Sequence, residues 1–168
     1  MNLIFLDIDG VLNMYGSSSR TFMKPYGQHI ERHLVDRLNY ICKNVKDLKI
    51  IISSSWRNDM EDLQKQLEKQ GFKYWKLVID KTPFAYSGKQ KEDKTYEIKL
   101  QFRGQQIKKW LSSNKIDINK YLVIDDEIAD ICGKMCRLIP KKYVTQIDGN
   151  EGMLHKDAIK IINYFKEI

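Results

Sequence analysis

Three short apolar runs constrain this chain more than anything else in it. They are Leu3-Ile4-Phe5-Leu6, Ile50-Ile51-Ile52 and Leu122-Val123-Ile124. Each is too short for a helix and continuously apolar, as expected of strands buried on both faces. Each stops at a small polar or acidic cluster: Asp7-Ile8-Asp9-Gly10, Ser53-Ser54-Ser55 and Asp125-Asp126. Weaker strand candidates are Lys76–Ile79 and Arg137–Ile139.

Helical patterns fill the intervals. Ile30, Leu34, Leu38, Ile41 and Val45 make one apolar face over 28–46. Met60, Leu63 and Leu67 do so over 59–70, with Asn58 as the expected N-cap and Gly71 as the stop. Ile107, Trp110 and Leu111 predict a helix at 104–113, and Ala158, Ile161, Ile162 and Phe165 one at 155–167. Alternating strands and helices predict an α/β fold with a mostly parallel sheet, a Rossmann-like three-layer sandwich. Such sheets hold their chemistry outside the carboxyl ends of the strands, so the three polar clusters should converge.

The chain of 168 residues is expected to form one domain, residues 1–168, with a basic loop insertion at 81–102. A hydrophobic share of 42% and a charged share of 30% exclude wholesale disorder. No apolar run is long enough to span a bilayer, and Asp7 and Asp9 interrupt the first one, so it does not read as a signal peptide. Three cysteines (Cys42, Cys132, Cys136) fit a reducing, cytoplasmic setting without a disulfide framework. His29 and His33 lack a metal-binding motif around them, and Cys132 and Cys136 have no second pair. No glycine-rich nucleotide loop of the common patterns is present.

Asp7, Asp9, Asp125 and Asp126 would repel one another if crowded without a cation. A hard divalent cation with oxygen ligands, Mg²⁺, resolves that repulsion and commonly shares its shell with a substrate phosphate.

Leu6-Asp7-Ile8-Asp9-Gly10-Val11-Leu12-Asn13 resembles the first motif of the haloacid dehalogenase (HAD) superfamily of phosphohydrolases. Ile50–Ser55 resembles the second motif, Arg103-Gly104-Gln105-Gln106-Ile107 with Trp110-Leu111 the third, and Tyr121–Asp126 the fourth. Ser53-Ser54-Ser55-Trp56-Arg57 and the Arg-Gly-x-x-Ile-x-x-Trp-Leu pattern are similar to a small capless group that includes the phosphatase-like domain of RNA-repair proteins.

The resemblance implies an Mg²⁺-dependent phosphomonoesterase working through an aspartyl-phosphate. Asp7 would be the nucleophile and Asp9 the general acid and base. Ser54 would hold a phosphoryl oxygen, and Arg103 would pair with the nucleophile and the phosphate, with Lys99 and Lys108 as alternatives. Asp7, Asp125, Asp126 and Asp9, the last through its carbonyl, would hold the metal. Gly10, Ser55, Arg57, Lys89 and Lys99 are expected around the substrate. Asp130 reads equally as an orienting acid or an ordinary helix residue. The intervals between motifs leave no room for a full cap, which implies an open site.

Residues 81–110 carry a net charge of +5, with Phe84, Tyr86, Tyr96, Phe102 and Trp110 interleaved. Basic side chains along a backbone with aromatics for stacking are the physics of single-stranded nucleic-acid binding. A solvated loop with Phe102 and Trp110 in the core is the competing reading. The expected partner is thus a phosphorylated substrate, a nucleotide or a single-stranded nucleic-acid end, and not a membrane. The alternatives are a non-catalytic module binding Mg²⁺ and a phosphorylated ligand, or a phosphatase of a small metabolite or phosphoprotein.

Overall fold

A computed structural model describes residues 1–15, 29–84, 86–90, 96–100, 102–135 and 137–167, with side chains described outside 85–101. The three apolar runs form the central strands β1 (Asn2–Leu6), β2 (Leu48–Ile52) and β6 (Lys120–Asp125). With β3 (Val78–Lys81) and β7 (Val144–Gln146) they make an all-parallel sheet in the order β3-β2-β1-β6-β7. Among the described residues four helices accompany it: α1 (Arg32–Asn44), α2 (Met60–Lys69), α3 (Arg103–Ser113) and α4 (His155–Lys166).

Strand alternation sorts the core into two layers. Ile4, Leu6, Ile50, Ile52, Leu122 and Ile124 pack with the apolar faces of α1, α2 and α4. Leu3, Phe5, Ile51 and Val123 point the other way, onto Ile107 and Trp110 of α3. Phe5 meets Trp110 edge-on at 5.5 Å between ring centroids, an arrangement that aromatic quadrupoles favour. Both faces of the sheet are therefore covered, as an all-parallel sheet requires.

Several expected boundaries move. The edge strand lies at Val78–Lys81, not Lys76–Ile79, because Trp75–Leu77 forms a 3₁₀ turn. Arg137–Ile139 is not a strand. Ile139 is buried in the core, but the sheet ends instead with Val144–Gln146 after a 3₁₀ turn at Lys141–Tyr143. The segment expected as a basic loop contains a hairpin, β4 (Tyr86–Gln90) and β5 (Tyr96–Leu100), paired antiparallel with Lys89 opposite Glu97 and Lys99 opposite Ser87. The α2 cap is Asp59, whose carboxylate accepts from the Asp62 N–H at 2.9 Å, rather than Asn58, which belongs to the preceding 3₁₀ turn Ser55–Asn58. Gly71 ends α2 as expected, at φ +90°.

Asp59→Ala should lower stability by about 1 kcal/mol, the usual cost of a lost N-cap, whereas Asn58→Ala should change it little. Urea unfolding of the two variants checks this; equal losses would refute the assignment.

Candidate active site

The sheet reverses its winding at β1. From there the chain moves outward to β2 and β3, then returns on the other side through β6 and β7. Leu6 pairs with Ile124, so Asp7 and Asp125 leave adjacent strands side by side at this switch point. Ladder bonds continue one residue past the strands: Asp7 N–H to Ile124 O at 3.0 Å, Ser53 N–H to Leu6 O at 2.8 Å and Ile147 N–H to Asp125 O at 2.9 Å. The three polar clusters thus meet on one rigid rim.

Arg103, the first residue of α3, reaches this rim from the far side of the sheet. Its Nη1 lies 2.7 Å from Asp7 Oδ2 and also donates to Asp125 Oδ2. Asp130 holds the base of that side chain in place. Its Oδ2 accepts from the Arg103 N–H at 3.1 Å and its carbonyl from the Gly104 N–H at 3.0 Å. Asp130 is therefore an orienting acid at the start of α3, which its place in the sequence leaves open. Lys108 is exposed on α3, and the side chain of Lys99 lies outside the described residues.

The electrostatics are unbalanced. Burial raises the pKa of Asp7, with Arg103 only partly opposing it. Burial and then the charge of Asp7 raise Asp125 well above the usual carboxylate range, again against Arg103. Burial opposes the charge on Arg103, but the two carboxylates outweigh it and hold the guanidinium protonated. Two buried carboxylates share one cation, so an ionised site carries excess negative charge.

Asp7, Asp125 and Asp126 each offer an oxygen within 4.8 Å of the others. Asp7 Oδ1 is buried and has no hydrogen-bond partner among the described residues. An orphaned acceptor beside two further carboxylates, with only hard oxygens offered, fits a hard divalent cation of the Mg²⁺ type.

Asp9 stands in a different environment. Its Oδ1 accepts from Asn13 Nδ2 at 2.9 Å and from Trp56 Nε1 at 2.8 Å, and its oxygens are not among those that Asp7, Asp125 and Asp126 gather within 4.8 Å. Asn13 also accepts from the Gly10 N–H at 2.8 Å and so closes the turn. Gly10 has φ +70°, and a Cβ there would stand 2.6 Å from Cγ of Asp126; the loop needs glycine for both reasons.

Asp126 has its own clamp. The Tyr15 hydroxyl donates to Asp126 Oδ2 at 2.5 Å, and burial followed by this acidic neighbour raises the phenol. The Tyr15 ring lies where a Cβ of residue 149 would be, 2.3 Å from that position, so Gly149 is what admits the ring.

The serines divide. Ser53 and Ser54 are buried and Ser55 is exposed. The Ser54 hydroxyl is near enough to Asp7 to favour its charged form, yet neither Ser53 nor Ser54 completes a hydrogen bond with its hydroxyl among the described residues. Arg57, expected at the substrate, is only 4% exposed. Its Nη1 donates to Thr82 Oγ1 at 3.0 Å, its Nη2 to Gln106 Oε1 at 2.8 Å, and its guanidinium lies 4.1 Å from the centre of the Phe84 ring. It braces the rim from within rather than presenting a free cation.

Trp56, Asn13, Tyr15 and Gly149 are site residues whose roles sequence reasoning misses. Asn13 had a signal, its position four residues after Asp9 in a tight turn. Tyr15 and Gly149 had none, since only folding brings them together.

Because folding raises Asp7, the folded chain holds protons that the unfolded chain has lost, and stability falls as pH rises from about 4. Asp7→Asn removes that penalty and leaves Arg103 paired with Asp125. In chelator at pH 7 the variant should have a higher Tm than the parent, with the gap closing toward about pH 4. A gap that widens on acidification would refute this.

A family described as the HAD domain in Swiss Army Knife RNA repair proteins matches residues 3–158. No curated protein and no solved structure matches the chain significantly. The match covers every element from β1 into α4, and the acidic switch point with Arg103 lies within it. The chain belongs to this HAD-domain family of RNA repair proteins.

Proposed function

We propose that the protein is an Mg²⁺-dependent phosphomonoesterase that removes a terminal phosphate from a nucleic acid or nucleotide through a covalent intermediate on Asp7. The observation that carries this reading is Asp7 itself: buried, tied to Arg103 by one oxygen and left unpartnered at the other among the described residues. A carboxylate kept so has given up solvation for reactivity.

Asp7, Asp125 and Asp126 would hold Mg²⁺, with the Asp9 carbonyl as a further ligand. Bound there, Mg²⁺ supplies positive charge that offsets the crowded carboxylates and the incoming phosphate. An Asp7 oxygen attacks phosphorus as the bond to the leaving oxygen breaks. Asp9 gives that oxygen its proton. Both described hydrogen bonds to Asp9 reach Oδ1, which leaves Oδ2 to carry the proton. In the second half Asp9, now ionised, takes a proton from water, and the resulting hydroxide displaces Asp7 from phosphorus. Inorganic phosphate leaves, and both carboxyl groups return to their starting states.

Arg103 offsets charge on the transferring group, and α3 directs its N-terminus to the same place. The Ser54 hydroxyl, near Asp7 and without a hydrogen-bond partner among the described residues, supplies a donor. Ser55 is exposed, Gly10 lies against Asp126, and Lys89 and Lys99 lie on the hairpin that follows β3. The RNA-repair family and the basic segment favour a nucleic-acid substrate.

Asp7→Asn should lower turnover of an aryl phosphate by about 10³-fold or more, and chelation of Mg²⁺ should abolish it. Asp9→Asn separates the two half-reactions. With p-nitrophenyl phosphate, whose leaving group needs little protonation, it should release about one nitrophenolate per chain in a burst and then turn over slowly, because the second step lacks its base. Full activity in Asp7→Asn, or no burst and no phosphoprotein in Asp9→Asn, would overturn the covalent mechanism. Terminally phosphorylated oligonucleotides should outcompete free nucleotides, with a steep loss of binding as salt rises.

A further inference from the structure

A groove of about 370 Å³ opens between the carboxyl end of β3 and the flank of α3. Lys81, Pro83 and Phe84 form one wall, and Lys109, Trp110 and Ser113 the other. Phe84 is 38% exposed. A single exposed phenylalanine is ordinary on a protein surface. What sets this one apart is its support. Arg57 is buried beneath the ring, 4.1 Å from its centre, and is locked by Thr82 and Gln106. Both terminal nitrogens of Arg57 are engaged and its charge lies against the ring, which gives the ring a fixed base.

Charge completes the groove. Lys81 is exposed and lines the same wall, and its Nζ donates to the Arg57 carbonyl at 2.8 Å. Lys109 is exposed on the opposite wall. Among the described residues the one acid in the lining, Asp80, accepts from Trp110 Nε1 at 2.6 Å and from the Lys81 N–H at 2.8 Å, so both its oxygens are engaged. The groove therefore combines a braced, partly exposed aromatic ring with two lysines and, among the described residues, little opposing charge. An aliphatic partner has no use for the cations, and an acidic peptide has none for the ring. A nucleobase with its backbone phosphates uses both.

Buried contacts tie the groove to the acidic rim. Arg57 joins Phe84 to Gln106, which follows Arg103 by one turn of α3. The Arg57 N–H bonds the Ser54 carbonyl at 3.2 Å. Lys109 and Trp110 stand about 9–10.5 Å along the helix from Arg103 at 1.5 Å per residue, a distance of about three stacked nucleotides.

We infer that this groove is a base-stacking subsite for single-stranded nucleic acid, with Phe84 as the platform for a nucleobase lying a few nucleotides inside the terminal phosphate. The inference rests on the nucleic-acid part of the proposed function, but it can be tested without catalysis. The probe is a fluorescent single strand of about six nucleotides with hydroxyls at both ends, so no phosphate is available for hydrolysis. Anisotropy then reports binding by the full chain.

Phe84→Ala should weaken binding roughly tenfold, within the range measured for loss of one base–aromatic stack. Phe84→Leu should weaken it similarly, because leucine restores apolar volume without a π-face. Phe84→Tyr should bind like the parent. Lys109→Ala should reduce the slope of log affinity against log salt by about 1. All four variants should keep the parent's melting temperature within a few degrees and its turnover of aryl phosphate. Parent-like binding by Phe84→Leu or Phe84→Ala would overturn the inference, as would failure of the parent to bind any single strand. Loss of phosphatase activity in every assay, with Phe84-dependent binding intact, would refute the catalytic reading and leave the subsite standing.

Discussion

The site depends on one guanidinium placed between two strands. Arg103 joins Asp7 of the β1 end to Asp125 of the β6 end, and neither carboxylate is solvated enough to stand ionised alone. Parallel strands bring their carboxyl ends together wherever the winding reverses. Here that geometry forces two acids into contact, and the fold answers with a cation from the helix that precedes β6. Asp130 then fixes where that helix begins. One cation against two carboxylates still leaves negative charge, and a divalent ion is the simplest complement to that remainder.

Asp7 and Asp9 are two residues apart, yet the structure gives them opposite surroundings. Asp7 is buried and bonded to Arg103. Asp9 is partly exposed and accepts from two neutral N–H groups, on Asn13 and Trp56. Only Ile8 lies between them, and the turn that follows at Gly10, φ +70°, places Asn13 to bond Asp9. Two carboxylates in environments this different are suited to different work, one as a nucleophile and one as a carrier of protons.

Much of this was legible before folding because the signals were strong and local. Runs such as Ile50-Ile51-Ile52 have no half-polar alternative, so strands β1, β2 and β6 and the convergence of their ends follow from pattern alone. The failures are equally physical. Val78–Lys81 is an edge strand that is largely exposed and carries no apolar stripe. Val144–Gln146 is three residues long, below the length at which alternation can be read. Arg137–Ile139 looks like a strand because Ile139 is apolar, but Ile139 fills the core without a ladder partner, while Leu138 is exposed. Contacts between distant segments left no trace at all, as with Tyr15 on Gly149 and Arg57 between Thr82 and Gln106.

The basic excess shows the same limit at the level of chemistry. Over residues 81–110 the charges are equivalent in a count, but the fold gives them unequal roles. Arg103 neutralises the acidic rim, Lys81 is tied to the Arg57 carbonyl, and Lys108 and Lys109 stand exposed on α3. The aromatics divide likewise. Trp110 is core, packed on Phe5 with its N–H given to Asp80, while Phe84 and Phe102 keep more than a third of their surface exposed. Arg57 falls outside that segment and resembles a substrate-facing cation in sequence, yet it is the buried strut under Phe84. Composition can locate an anion-binding region, but which cation meets the reacting phosphate and which one holds the wall is decided by burial and by the partners each side chain acquires.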